Sequence, residues 1–294
     1  MINRVTNQQL LYSAQRNLQN AMSEMGRLQD RVSSQKEITK PSDDPAAVAN
    51  LLRVRQSMSA NSQYSRNIAD GQGWLNTIDS ALSAVTSILH RARDLTVQGS
   101  NDGVLTPSQR EAIASELDSL SDQLLAQANT SYLGRSVFAG NSDAGVAFQP
   151  DYSYTGSPGS SVTRRVADES AVRVDSDGTA VFGEGSSSMF QLLKDIASDL
   201  RSGVSIAGRI DQVDTQLNAT LTEQAVVGSR LNGIEKAQSM NLDQSVALEA
   251  QRSGVEDADL SKAILDLKMQ ETSYQAALAV TARALPATLA DFLR

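Results

Sequence analysis

The sequence predicts a mainly α-helical protein, an elongated and nested helical bundle with paired terminal coiled-coil helices and a small β-rich domain inserted mid-chain. Three observations predict it. Apolar and small residues recur at alternating spacings of three and four near both ends, which is how a coiled-coil seam is written. A stop-and-start stretch, Ser33-Ser34-Gln35-Lys36-Glu37-Ile38-Thr39-Lys40-Pro41-Ser42-Asp43-Asp44-Pro45, separates the first seam from a second helical run. Between Tyr132 and Ser188 the helical period gives way to glycine, serine and short alternating segments. The expected layers are a terminal helical domain from residues 1–44 and 255–294, a helical bundle from 45–131 and 189–254, and a β-rich insertion over 132–188.

The first seam reads Leu11, Ala14, Leu18, Ala21, Met25, Leu28, Val32. A helix over most of residues 5–32 would be about 40 Å long at 1.5 Å per residue, too thin to stand without a partner on that stripe. The last seam reads Leu260, Ile264, Leu267, Glu271, Tyr274, Leu278, Thr281, Leu285, flanked by alanines. Residues 1–40 carry a net charge of +3 and residues 255–294 a net charge of −2, signs that favour pairing although exposed charges add little each. The candidate assembly seam is thus Leu11, Leu18, Met25, Leu28 and Val32 with Leu260, Ile264, Leu267, Tyr274, Leu278 and Leu285.

Within the hinge, Pro41 discourages the first helix from running through, and Asp44 precedes Pro45. A residue before proline is pushed into extended conformation, its carboxylate can accept from the next turn's amides, and proline suits the first helical position. Asp44 is therefore read as an N-cap, with Asp43 adding negative charge near the helix dipole. The next helix carries Val48, Leu51, Leu52, Met58, Tyr64, Ile68, Gly71, Leu75, Ile78, Leu82, Val85, Leu89 and Ala92, and is read as continuous through Gly71 and Gly73 to near Gly99. After a turn over residues 99–103, Thr106-Pro107 starts a helix with Ile113, Leu117, Leu120 and Leu124 inside. Alternation at 162–166 and 172–174 predicts strands, with Asp177-Gly178 as a hairpin turn before Val181-Phe182. Helix returns at 189–200 and continues from Ile206 with Ile210, Val213, Leu217, Leu221, Val227, Leu231 and Ile234.

Composition narrows the function. In 294 residues, 40% are hydrophobic but only 4% aromatic, and the net charge is −8. Helices joined through small residues fit that balance better than one thick core. An acidic chain without a Lys/Arg cluster is a poor partner for nucleic acid. No apolar run approaches a membrane span, and the start lacks the apolar core of a secretory signal. The sequence contains no cysteine, which excludes disulfides, thiolate metal sites and cysteine nucleophiles. His90 stands alone, Asp175-Ser176-Asp177-Gly178 is only half of a calcium loop and fits a hairpin turn better, and Gly71-Gln72-Gly73 does not follow a strand. No catalytic, cofactor or metal constellation is expected, and the chain is read as a structural protein rather than an enzyme.

The hinge, from Ser33-Ser34-Gln35-Lys36-Glu37-Ile38 to Asp43-Asp44-Pro45, resembles a pattern of the flagellin superfamily, with Gln35 where the pattern has glycine. Tyr132-Leu133-Gly134-Arg135-Ser136-Val137-Phe138-Ala139-Gly140, Tyr154-Thr155-Gly156 and the tail Leu289-Ala290-Asp291-Phe292-Leu293-Arg294 are similar to further motifs of that superfamily. The Pro-Ser-Asp-Asp-Pro form of the hinge resembles its hook-filament junction branch, and the likeness covers nearly the whole chain. The resemblance implies export unfolded through the flagellar type III channel and a place in the extracellular flagellum. It implies self-association into a ring between hook-associated protein 1 and the flagellin filament. Terminal helices would line the channel, the β insertion would face outward, and an export chaperone would hold the C-terminal helix before secretion. A flagellin-type filament subunit is the alternative.

Overall fold

The computed structural model describes the backbone of residues 2–101 and 105–292, and the side chains of residue 9 and of residues 12–101 and 105–282. Leu11 and Leu285 of the expected seam, part of the expected turn at 99–103 and the tail motif fall outside the described side chains. Along the chain come α1 (Ile2–Ser34), α2 (Pro45–Gly99), α3 (Pro107–Ala128), β1 (Ser131–Tyr132), β2 (Arg135–Ser136), β3 (Thr163–Ala167), β4 (Ser170–Arg173), α4 (Gly178–Phe182), α5 (Met189–Ser202), α6 (Ile210–Glu256) and α7 (Leu260–Phe292). The fold is mainly helical with two small antiparallel hairpins. It divides into two compact units, Met1–Ala60 with Ser245–Arg294, and Asn61–Gln244.

The central unit is organised by α2, whose residues Ile68, Leu75, Ile78, Leu82, Val85, Leu89 and Ala92 are all buried. The helix does not break at Gly71 or Gly73. Both glycines make room for neighbours: a Cβ on Gly71 would lie 3.2 Å from Ile234 and from Val174, and one on Gly73 would lie 2.3 Å from the Tyr132 hydroxyl. Thr106 caps α3 through a complete capping box with Gln109, and Ile113, Leu117, Leu120 and Leu124 are buried. Helix α3 packs on α5, where Arg201 pairs with Glu111 and Asp118, and Lys194 with Asp118 and Asp122.

Four phenylalanines gather in one place. Phe138, Phe148, Phe182 and Phe190 pack with ring centroids 5.0–5.7 Å apart, mostly edge to face. Such pairs contribute beyond their buried area, and here they join the insertion to α5. Asn129, at the end of α3, holds the same region: its oxygen accepts from the amides of Ala147 and Phe148 and its amide donates to the Phe148 carbonyl.

Three expectations are corrected. The hairpin turns at Asp168-Glu169, between β3 and β4, and not at Asp177-Gly178. Asp177 instead caps α4, accepting from the amide and hydroxyl of Thr179 at 3.0 and 2.7 Å, so Val181 and Phe182 are helical. Asp175 is fully buried, bound by Arg173 and by the Val162 amide at 2.8 Å, and belongs to no turn or cation loop. Finally, Leu52 and Leu221, placed inside by the sequence, are 60% and 43% exposed. In α6 the buried stripe steps through Val213, Leu217, Thr220, Val227 and Ile234, a stricter alternation that passes over Leu221.

Candidate functional site: the terminal helix pair

Helix α1 packs against α7. On α1 the expected seam is the covered side: Leu28 is buried, and Ala14, Leu18, Ala21, Met25 and Val32 are half-buried. On α7 the covered stripe is Ala263, Leu267, Gln270, Tyr274, Ala277 and Thr281, and Gln270 donates to the Ala21 carbonyl at 3.1 Å. Leu267, Tyr274 and Thr281 of the expected seam lie on this stripe, and Glu271 is half-buried. Leu260, Ile264 and Leu278 lie to one side of it and are 41–44% exposed. Spacing does not separate the two registers, since both alternate four and three and share positions 267, 274 and 281; the covered one has small or polar residues at four of its six positions, Ala263, Gln270, Ala277 and Thr281.

Helix α7 has further apolar surface. Leu265, Met269 and Val280 are 55–69% exposed, and at 100° per residue they lie about 160°, 120° and 100° from the centre of the stripe that faces α1, away from Leu260, Ile264 and Leu278. A helix apolar on more than one side is built to be covered on more than one side.

The hinge shapes the root of this pair. Helix α1 ends as Gln35 takes φ 58°, a left-handed conformation that glycine adopts at lower cost. Asp44 accepts from the amides of Ala46 and Ala47 at 3.0 and 2.9 Å, and Pro45 is the first residue of α2. Asp43 does something other than add charge to a helix end: its oxygen accepts from the Lys40 amide at 2.8 Å and the Thr39 hydroxyl at 3.0 Å. These bonds, the Lys40 amide first, hold its carboxyl below the usual carboxylate range. Pro41 lies exposed in the same loop. A cleft of about 420 Å³, lined among others by Arg27, Leu28, Arg31, Ile38, Asp43 and Val255, lies beside the loop. Arg27 pairs with Glu24 and Arg31 with Glu37, while the Arg31 Nε is buried without a hydrogen-bond partner.

One residue of this region gives no sign in the sequence. Glu256, the last residue of α6, is buried and accepts from Lys36 at 2.6 Å, Arg55 at 2.9 Å and Arg252 at 3.1 Å. The hydrogen bond from Lys36, with those from Arg55 and Arg252, outweighs burial and holds its carboxyl down to about 2. Beside it the backbone pairs across the two hinges: the Glu37 amide donates to the Glu256 carbonyl at 2.8 Å, and the Ala258 amide to the Gln35 carbonyl at 2.9 Å.

Among the described residues, no group of three or more His, Cys, Asp and Glu is placed to hold a metal ion, and no helix is long and apolar enough to cross a membrane. What the site offers is helix surface. The chain matches the bacterial flagellin N-terminal helical region over residues 5–143 and the bacterial flagellin C-terminal helical region over residues 210–293. The chain belongs to the flagellin family. Within the family, flagellar hook-associated protein 3 of Escherichia coli strain K12 is 26% identical over 93% of this chain and 94% of its own length. A flagellin of Listeria monocytogenes is 26% identical over 88% of both chains. The crystal structure of Bacillus cereus FlgL superposes with a TM-score of 0.60 at 25% identity, covering 68% of this chain and 99% of that one. The α1–α7 pair brings together the two flagellin-family regions, α1 from the N-terminal and α7 from the C-terminal one.

Proposed function

We propose that this protein is a structural component of the extracellular bacterial flagellum, an adapter that joins the hook, through hook-associated protein 1, to the flagellin filament. It is not an enzyme in this reading. The observation that carries it is the surface of α7: inside one chain α1 covers a stripe of mostly small and polar residues, while Leu260, Ile264, Leu265, Met269, Leu278 and Val280 stay exposed. Large exposed apolar faces mark interaction sites, and a chain of this family finds its partners among copies of itself and its flagellar neighbours. Self-association into a ring would bury these faces, and an export chaperone would cover them before secretion. The likeness to hook-associated protein 3 over nearly the full length of both chains supports the junction. The likeness to flagellin supports the second reading, a filament subunit.

The two readings differ in growth. A filament subunit presents matching surfaces at both axial ends and propagates, whereas an adapter with unlike ends stops after a limited layer. Cells lacking this protein are expected to build hooks yet release flagellin into the medium, and the purified protein is expected not to form long fibres under conditions that polymerise flagellin. Normal filaments in the deletion strain, or long fibres from the pure protein, would transfer the assignment to the filament subunit.

A further inference from the structure

Helix α2 runs for 55 residues without a break, yet within it stand two glycines one residue apart, Gly71 and Gly73. Glycine is the poorest helix former after proline, and glycines are among the few places where long helices bend sharply. This stretch is held from outside. From Asn67 to Trp74 the β-rich insertion touches it repeatedly. Asn67 donates to the Arg165 carbonyl at 2.8 Å, and Asp70 pairs with Arg164. Val174 lies against Gly71, and the Tyr132 ring fills the space beside Gly73 where a Cβ would stand. Tyr132 meets Trp74 edge to face at 5.7 Å, while the guanidinium groups of Arg164 and Arg135 lie 5.6 and 6.0 Å from the centre of the Trp74 ring. Helix α6 adds Ile234, which also lies against Gly71.

We propose that α2 carries a latent hinge at Gly71–Gly73 and that the insertion splints it. The absence of side chains at these two positions lets Val174 and Tyr132 seat closely, and the same absence leaves the backbone there with the weakest helical preference in its neighbourhood. While the insertion is docked, its ion pair, its carbonyl bonded to Asn67 and its contacts with Trp74 outweigh that weakness, and the helix stays continuous. Once the insertion lifts, the two glycines lose those contacts, and a few small residues are then free to absorb a change of direction, as hinges commonly do. A neighbour that grips or moves the insertion thereby sets the stiffness of α2 without touching it. The inference concerns the central unit alone and holds whether the protein serves as adapter or filament subunit.

Hydrogen exchange read by mass spectrometry on the full-length protein tests it. Arg164→Met removes the ion pair to Asp70 and the charge beside Trp74 but keeps an apolar stem against Gly71. It is expected to accelerate the amides of residues 66–76 about tenfold or more, while residues 78–95 of α2 and the peptides of α3 and α5 change by less than about twofold, because only the hinge opens. Gly71→Ala added to Arg164→Met restores helical preference at the hinge, and its new carbon meets only the ends of the Ile234 and Val174 side chains, at 3.2 Å. This second change is expected to bring residues 66–76 at least halfway back to wild-type protection on a logarithmic scale. An alanine does not repair lost packing, so the recovery separates a hinge from a damaged core. Should Arg164→Met also loosen α3 and α5, Asp70→Asn, which leaves Arg164 beside the Trp74 ring, is expected to give a smaller acceleration confined to residues 66–76. The hinge is overturned if those residues stay as protected in Arg164→Met as in the wild type, or if both single variants accelerate the whole central unit evenly. Failure of Gly71→Ala to restore any protection overturns it too.

Discussion

Replacing Gly73 with alanine should destabilise the central unit, although the same exchange elsewhere in a helix stabilises it. Alanine is favoured over glycine in a helix interior by about 1 kcal/mol. At Gly228, in α6, nothing lies within 4 Å of an added Cβ, and Gly228→Ala should show that gain. At Gly73 the new carbon would lie 2.3 Å from the Tyr132 hydroxyl oxygen and 2.8 Å from its ring, where heavy atoms settle at about 3.5–4.0 Å. Tyr132 must withdraw by more than 1 Å. It gives up an edge contact with Trp74, now at 5.7 Å and 63°, which is worth about 0.5–1.5 kcal/mol. It also pulls on β1, where Tyr132 pairs with Arg135. Overpacking of this kind costs about 1–3 kcal/mol, so after the helical gain Gly73→Ala should lose up to about 2 kcal/mol. For a unit of this size 1 kcal/mol corresponds to about 2–4 °C in Tm, and the two variants should separate by several degrees. Thermal melts followed by Trp74 fluorescence measure this directly, and the native emission of Gly73→Ala should also shift as the ring loses its neighbour. If both variants are stabilised alike, Tyr132 does not lie over Gly73 and the account of that glycine is wrong.

Three further outcomes are expected. Asp44→Ala should weaken the start of α2 by about 0.5–2 kcal/mol, because the amides of Ala46 and Ala47 lose their acceptor; unchanged exchange of those amides would refute the cap. Glu256 is held down to about 2, so its contribution to the terminal unit should be whole above the ordinary carboxylate range near 4.5 and fade as pH falls toward 2. The full shift corresponds to about 3 kcal/mol, and with Lys36 and Arg55 half in solvent about 1–2 kcal/mol is expected. Asp43 and Asp257 are lowered too, so the measurement is the difference in acid sensitivity of α7 helicity between wild type and Glu256→Gln; equal sensitivity would remove Glu256 from the explanation. Asn61 and Asn241 are buried and bond each other across α2 and α6 at 2.7–3.0 Å, and Asn241→Leu alone should cost about 1–3 kcal/mol by stranding Asn61, while the double leucine variant recovers most of it. A double variant as unstable as the single would show that the pair is not the reason.

Most of the helical plan was legible because helices punctuate themselves. Pro45 after Asp44 and Thr106 before Pro107 each mark a start by chemistry that acts within one turn. Seam register was harder. At Thr220, Ala263 and Ala277 the covered position holds a small or polar residue while Leu221, Ile264 or Leu278 stands exposed one step away. Reading by hydrophobicity drew the stripe toward Leu221, Ile264 and Leu278, and in α7 both registers alternate three and four, so spacing alone could not choose between them. The Asp177-Gly178 error has a related cause: an aspartate before glycine suits a helix cap as well as a hairpin, and only the packing of Val181 and Phe182 decides. Glu256 was invisible, since its partners Lys36 and Arg55 are about two hundred positions away along the chain.

The two apolar sides of α7 place separate demands on one helix. Changes on the inner stripe, at Leu267, Tyr274 or Ala277, alter how a single chain folds, and a protease or a thermal melt would register them. Changes at Leu265, Met269 or Val280 leave the isolated chain nearly as it was, and their effect is felt only when a neighbour arrives. Sequence drift in this helix is thus screened twice by different judges, once in the cell's store of monomers and once at the growing structure. A variant library sorted first for resistance to proteolysis and then for motility would draw that boundary down the length of α7.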